Sequence, residues 1–279
     1  MKPYFETELG KLYNGDCLEV MDELIKQGVK VDVTITSPPY DDLRKYENTL
    51  SWDFEIFKKI TKRLWEITKD GGVVVWVVGD KTHKGSESGT SFKQALYFMK
   101  LGFNLHDTMI YKKENYMPLN HNRYDQEFEY MFIFSKGKPN TFNPIRTPCK
   151  YYGSKYNLKG RQSASAKEEK GATRQRDISL KIKADKYKGN VWSYQTGKNK
   201  GSKDDIWEHP ATFPEQLAID HIISWSNEND LVLDCFNGSG TTIKNAEILK
   251  RNFIGIEKVE KYCEITKQRF QTGIQQTLL

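Results

Sequence analysis

The sequence predicts an α/β protein built on a mostly parallel sheet, and three observations carry that prediction. Short apolar runs alternate with helical patterns along most of the 279 residues, the order expected of strand–helix–strand units. The run Val73-Val74-Val75-Trp76-Val77-Val78 is apolar at every position, as a strand covered on both faces must be. Leu231–Thr242, LVLDCFNGSGTT, reads as a strand, a glycine-bearing turn and the opening of a helix.

Seven strands are expected, at Leu12–Asn14, Val31–Thr36, Gly72–Val78, Leu105–Tyr111, Tyr130–Ser135, Leu231–Cys235 and Asn252–Glu257. Helices are expected at Leu18–Gln27, Phe54–Thr68, Ser91–Lys100, Pro214–Ser226, Thr241–Leu249 and Glu260–Gln271, on both faces of the sheet. Val31–Thr36 ends at Ser37-Pro38-Pro39-Tyr40, where two prolines remove two backbone donors and hold the chain extended. Leu105–Tyr111 and Tyr130–Ser135 are spaced like a terminal hairpin with a long excursion between them. After Gly137 the pattern dissolves into a polar, basic stretch and resumes at His209. The expected organisation is one sheet domain, residues 1–145 and 207–279, interrupted by an insert at 146–206.

Composition narrows the function. The four cysteines are scattered with no Cys-x-x-Cys pair, which argues against structural zinc and against a disulfide scaffold. No apolar run approaches the roughly 20 residues of a membrane span, so a reducing cytoplasm is the expected setting. Net charge is +6, yet Arg146–Ile206 holds 16 Lys+Arg against 6 Asp+Glu, so the insert carries the whole positive excess. Its cations are interleaved with Tyr151, Tyr152, Tyr156, Tyr187, Trp192 and Tyr194. Cations with aromatics suit phosphate neutralisation plus base stacking, although a lysine-rich loop can also be simply solvated.

In the turn after Leu231–Cys235, Gly238 and Gly240 permit dihedrals and close approach that a Cβ would block, and the helix beyond offers free N–H groups. Glu257 ends the next strand, where a carboxylate can accept ribose hydroxyls or stand as an ordinary strand-end acid. Asp234 reads equally as a helix-capping acid. There is no G-x-G-x-x-G and no P-loop lysine, so a nucleoside-type cofactor without a pyrophosphate fits better than a dinucleotide.

These stretches together resemble the bacterial DNA amino-methyltransferases. Ser37-Pro38-Pro39-Tyr40 matches that family's catalytic tetrapeptide, and Asp234–Thr242 its cofactor turn, with Cys235 and Asn237 departing from the commoner residues. His209-Pro210-Ala211-Thr212-Phe213-Pro214 matches its HPxxFP element, and Asn14-Gly15-Asp16 the segment whose acid contacts the cofactor adenine. The order, with the catalytic motif first, the basic insert next and the cofactor turn last, resembles the circularly permuted β group.

The resemblance implies a Rossmann-like S-adenosylmethionine-dependent fold with a target-recognition insert. It also implies methylation of an exocyclic amine of a flipped-out base in double-stranded DNA. Ser37, Pro38, Pro39 and Tyr40 are then the expected catalytic residues. Asp16, Thr36, His209, Pro210, Phe213, Asp234, Phe236, Asn237, Gly238, Ser239, Gly240, Thr241 and Glu257 are expected on the cofactor. Arg44, Lys155, Arg161, Arg174, Arg176 and Trp192 are expected on DNA.

An aromatic amine is a poor nucleophile because its lone pair is delocalised. Acceptors aimed at its N–H groups, here the Ser37 hydroxyl and the Pro38 carbonyl, stabilise the charge that develops on nitrogen. The rigid Pro-Pro pair supplies carbonyls with no competing N–H, and Tyr40 is placed to stack on the flipped base. The resemblance associates serine at the first motif position with the 4-amino group of cytosine and aspartate with the 6-amino group of adenine, so cytosine is the expected base. Cys149, in Thr147-Pro148-Cys149, lacks the preceding strand of a thiolate nucleophile and is assigned no catalytic role. RNA methylation and a non-catalytic DNA-binding relative are the competing readings. The resemblance admits a cognate restriction endonuclease and a homodimer as further partners, with no interface legible in the sequence.

Overall fold

Five adjacent parallel strands organise the main sheet and open their carboxyl ends on one edge. The computed structural model of the protein describes residues 1–39, 52–116, 122–158, 178–195 and 214–277. In chain order the elements are β1 (Phe5–Glu6), β2 (Gly10–Asn14), α1 (Cys17–Lys26), β3 (Val31–Thr36), α2 (Phe54–Ile67) and β4 (Thr68–Val78). Next come β5 (Thr82–His83), β6 (Ser86–Glu87), α3 (Thr90–Leu101), β7 (Asn104–Lys113) and β8 (Phe128–Ser135). The short strands β9 (Arg146–Pro148), β10 (Lys155–Leu158), β11 (Ile178–Lys181), β12 (Asp185–Tyr187) and β13 (Val191–Tyr194) follow. The chain closes with α4 (Glu215–Trp225), β14 (Leu231–Asp234), α5 (Thr241–Ile248), β15 (Asn252–Glu257) and α6 (Glu260–Thr277).

The main sheet runs β1-β2-β15-β14-β3-β4-β8-β7-β13. Neighbours from β2 to β4 are all parallel. β8 is antiparallel to both β4 and β7, as the expected hairpin requires. All seven expected strands are present, and β1 and β13 extend the sheet to nine.

Helices α1, α2 and α3 cover one face, packing on Val74, Trp76, Val78, Phe132 and Phe134. Helices α4, α5 and α6 lie against β3, β14, β15 and β2 from the other side. Because side chains alternate along a strand, Val73, Val75 and Val77 face that second layer and are buried there, which explains the unbroken apolar run. The α2 face is set by Phe57, Ile60, Leu64 and Ile67, and Asp53 caps the helix by accepting the Ile56 N–H at 2.8 Å. Aromatic packing fills the first layer: Phe98 stacks on Phe134 at 4.2 Å, and the Trp76 indole N–H donates to Gln94 at 2.8 Å. Among the described residues no helix is long and apolar enough to cross a membrane.

The chain divides into two compact units, Met1–Asn143 with Asn190–Leu279, and Pro144–Gly189. In the smaller unit the described residues form two antiparallel ladders, β9 with β12 and β10 with β11. Arg146 bonds Asp185 and lies over the Tyr187 ring at 5.1 Å, while Tyr151, Tyr152 and Tyr187 are exposed.

The smaller unit therefore ends at Gly189 rather than at Ile206, because β13 returns to the main sheet beside β7. This corrects the placement of Trp192 on DNA. Along β13 the pattern is exposed, buried, exposed, buried, and Trp192 is 5 % exposed with its ring 4.8 Å from that of His221. A ring covered in this way packs an edge strand and has no face left for a base. Trp192→Ala is accordingly expected to cost about 3–5 kcal/mol of folding stability, seen as a lower urea midpoint. A variant with unchanged stability would restore the residue to a surface role.

Candidate active site

The site begins as a row of strand ends. β2, β15, β14 and β3 are successive parallel neighbours, so Asn14, Glu257, Asp234 and Thr36 lie side by side along one edge. The chain leaves β14 through α5 towards β15 and leaves β3 through α2 towards β4, so its connections diverge between β14 and β3. Such a divergence leaves a crevice beyond the strands' carboxyl ends, where ligands of open α/β sheets bind.

One hydrogen bond spans that crevice. The Thr36 hydroxyl donates to Asp234 Oδ1 at 2.7 Å, joining residues 198 apart in sequence. Both are buried, at 1 % and 5 % exposure. Asp234 also accepts the Phe236 N–H at 3.1 Å and a bond from Thr242. Burial pushes its carboxyl up to about 6, against the pull of the two hydroxyls and the N–H. The chain passes directly from Thr36 into Ser37, Pro38 and Pro39, of which Pro38 is buried and the other two half-buried. The first three residues of the Ser-Pro-Pro-Tyr motif are thereby anchored beside the glycine turn.

The turn is tightly determined. Gly238 has φ +52 and Gly240 φ +82, values that a side chain resists. A Cβ on Gly240 would also meet the Thr266 side chain at 2.4 Å. Asn237 N–H donates to the Ile256 carbonyl and Gly240 N–H to the Asn237 carbonyl, both at 2.9 Å. Phe236 is packed edge-on by Trp52 at 5.5 Å and Trp76 at 6.3 Å. Buried Cys235 has its thiol held well above its ordinary value by desolvation, so it supplies no thiolate here.

Glu257 is 9 % exposed; one carboxylate oxygen accepts the Gly238 N–H at 2.7 Å, the other the Val259 N–H at 2.8 Å, and the Lys258 N–H bonds the carboxylate as well. Its pKa rises to about 7 through burial, opposed by those N–H groups and reinforced by the Asp234 charge. The β2 end is tied to it, since Gly15 N–H and the Asn14 amide donate to the Glu257 carbonyl at 2.9 and 3.0 Å. Asp16 uses one oxygen to cap α1 through the Leu18 N–H at 2.9 Å and turns the other to Lys258 at 3.3 Å.

A profile of the DNA methylase family matches residues 31–268. The chain belongs to the DNA methylase family. It is 51% identical over 246 residues to the orphan methyltransferase M.BamHII of Bacillus amyloliquefaciens, covering 88% of this chain and 90% of that one. Among solved structures, the complex of M1.HpyAVI with SAM is 26% identical, with a TM-score of 0.59 and coverage of 93% of this chain and 99% of that one. A PvuII DNA methyltransferase, described as cytosine-N4-specific, reaches a TM-score of 0.68 over 96% of this chain and 89% of the other. At 20% identity this last match is a likeness of fold.

The methylase fold brings Asp16, Thr36, Ser37, Pro38, Pro39, Asp234, Phe236–Thr241 and Glu257 to one edge of the sheet. Tyr40, Arg44, Arg161, Arg174, Arg176, His209, Pro210 and Phe213 lie outside the described residues. Lys155 opens β10 in the smaller unit, opposite Lys181. Sequence reasoning missed Thr266 and Arg269, which bond the carbonyls of Gly238 and Ser239 from α6. Helical periodicity marks the inner face of α6 but does not say what that face touches.

The Asp234 environment sets a pH dependence. Its folded pKa of about 6 lies above the ordinary carboxyl value of 3.8. The stability linked to the protonated form is therefore full below about pH 4 and lost as pH rises through about 6. Asp234→Asn, fixed in a neutral form, is expected to lack that loss. Its stability relative to the parent, followed by urea unfolding, should rise between pH 4 and pH 7 by on the order of 3 kcal/mol. A constant difference across that range would contradict the assignment.

Proposed function

We propose that the protein is a site-specific DNA methyltransferase acting on the exocyclic amine of a flipped-out base, the 4-amino group of cytosine in first place. The observation that carries this reading is the Thr36–Asp234 hydrogen bond, which seats the start of the Ser-Pro-Pro-Tyr motif beside the glycine turn. S-adenosylmethionine is the methyl donor and supplies an electrophilic methyl group on a sulfonium centre.

The donor set fits an adenosyl group. Glu257 offers a carboxylate at the end of β15, the acceptor type a ribose diol requires. Gly240 is the N-cap of α5 and contributes no side-chain cap, so the first N–H groups of the helix are available donors for the ligand in this reading. The turn from Phe236 to Thr241 and the Asp16 carboxylate complete the cradle, and His209, Pro210 and Phe213 join it by resemblance.

On the acceptor side the Ser37 hydroxyl and the Pro38 carbonyl receive the amine N–H groups, drawing the nitrogen towards tetrahedral geometry as it attacks. Pro38 and Pro39 contribute no N–H that would compete, and their fixed φ places the carbonyls in advance. Tyr40 stacks on the flipped base. Transfer is a single displacement, in keeping with a buried, protonated Cys235. The exposed Tyr151, Tyr152 and Tyr187 among the cations of the smaller unit support double-stranded DNA as partner, with Lys155, Arg161, Arg174 and Arg176 on phosphates and Arg44 beside the base pocket. Cytosine is favoured because a short neutral hydroxyl at position 37 reaches a pyrimidine amine without facing the ring nitrogen with a carboxylate. The orphan designation of M.BamHII supports an enzyme that works without a paired endonuclease.

Methyl transfer from labelled S-adenosylmethionine into mixed-sequence duplex DNA, read by nucleoside mass analysis, tests the proposal. Methylated 4-amino-cytosine is the expected product, and Ser37→Ala should lower kcat about 10²–10³-fold with cofactor binding retained. Methylated 6-amino-adenine would overturn the base assignment alone. Full activity in Ser37→Ala would overturn the mechanism.

A further inference from the structure

We propose that Arg269, on α6, is a positioning residue for cofactor binding, holding the glycine turn in its ligand-ready shape through Ser239 and Glu215. The inference rests on the functional reading above. Arg269 is 3 % exposed. One guanidinium nitrogen donates to the Ser239 carbonyl at 2.6 Å and to Thr241 Oγ1 at 3.2 Å. The other terminal nitrogen donates to Glu215 Oε1 at 2.7 Å. Lys244 stands 3.9 Å from the same Glu215 oxygen, so one carboxylate serves two cations.

A buried guanidinium is costly unless paired and hydrogen-bonded; here its charge is paired with Glu215 while its other terminal nitrogen bonds the turn. Thr266, three residues earlier and so on the same side of α6, places its hydroxyl 3.2 Å from the Gly238 carbonyl. The carbonyls of Asn237, Gly238 and Ser239 are thus all engaged inside the protein, by Gly240 N–H, Thr266 and Arg269. Pinning a carbonyl fixes its peptide plane. Three consecutive planes are held in this way, in a turn whose Gly238 N–H also bonds Glu257, so the turn's shape is set before a ligand arrives. A guanidinium can do this because its planar fork addresses two acceptors in set directions, whereas an ammonium is a point charge. Glu215 immediately follows Pro214, the last residue of the His209–Pro214 element, so the same side chain joins the start of α4 to the turn.

A residue that only staples helices would change stability and leave the cofactor affinity of the folded protein intact. The test is calorimetric titration of the full chain with S-adenosylmethionine, alongside KM for DNA and the melting temperature. Folded Arg269→Gln should bind S-adenosylmethionine about 10–100-fold more weakly, the loss expected for charge-assisted hydrogen bonds. KM for DNA should stay unchanged, and Arg269→Lys should recover part of the loss. Because Arg269 is buried, Glu215→Gln is the second probe. It keeps an acceptor, removes the charge, and should weaken cofactor binding in the same direction. Parent affinity in folded Arg269→Gln or in Glu215→Gln would overturn the proposal. If the parent protein itself bound no S-adenosylmethionine, the proposed function would fall first and this inference with it.

Discussion

The architecture turns on the buried hydrogen bond from Thr36 to Asp234. A sheet whose connections diverge between two adjacent strands necessarily leaves a crevice at their carboxyl ends, but the crevice has no chemistry of its own. Here one of those strands runs into a proline-stiffened turn and the other into a glycine turn. The hydroxyl–carboxylate contact fixes the two turns relative to each other. It also draws Asp234 into a dry environment, where desolvation raises its pKa and the surrounding donors limit the rise. The two acids nearest the crevice, Asp234 and Glu257, are each bonded to the glycine turn's own backbone N–H groups. Their positions and the turn's shape therefore depend on each other.

Around that contact the protein spends much of its polar bonding capacity on holding backbone. Asn14 and Gly15 bind the end of β15, and Thr266 and Arg269 bind the glycine turn from the opposite side. Phe57, Phe98, Phe134 and Trp76 pack ring on ring in the first layer, and Trp76 reaches Phe236 in the glycine turn. Preorganisation of this kind lowers the cost of binding and of reaching a reactive geometry, because the site need not reorder when a ligand arrives.

Much of this was legible in the sequence, for identifiable reasons. The parallel core announced itself through continuous apolar runs such as Val73–Val78, and the turns through Pro38-Pro39 and Gly238/Gly240, whose backbone restrictions are local. Glu257 was legible as a strand-end acid, but its burial was not, since desolvation depends on Asn14, Gly238 and Val259 closing around it. Strand β13 was hidden because Val191–Tyr194 alternates correctly yet sits in a stretch dominated by lysine and arginine. For the same reason Trp192 read as a stacking residue when it is a packing one. Thr266 and Arg269 escaped because helical spacing identifies a buried face without naming its partners. Asp16 shows a subtler mixture, with one oxygen capping α1 and the other directed at Lys258.

The most direct test of the central claim is to remove the Thr36 hydroxyl alone, with Thr36→Val, and to measure cofactor affinity and single-turnover methyl transfer on the folded variant. If one hydrogen bond aligns both turns, affinity and rate at saturating cofactor must both fall. Parent-like values for both, in a folded variant confirmed to lack the hydroxyl, would show that the two turns are aligned by something other than this contact.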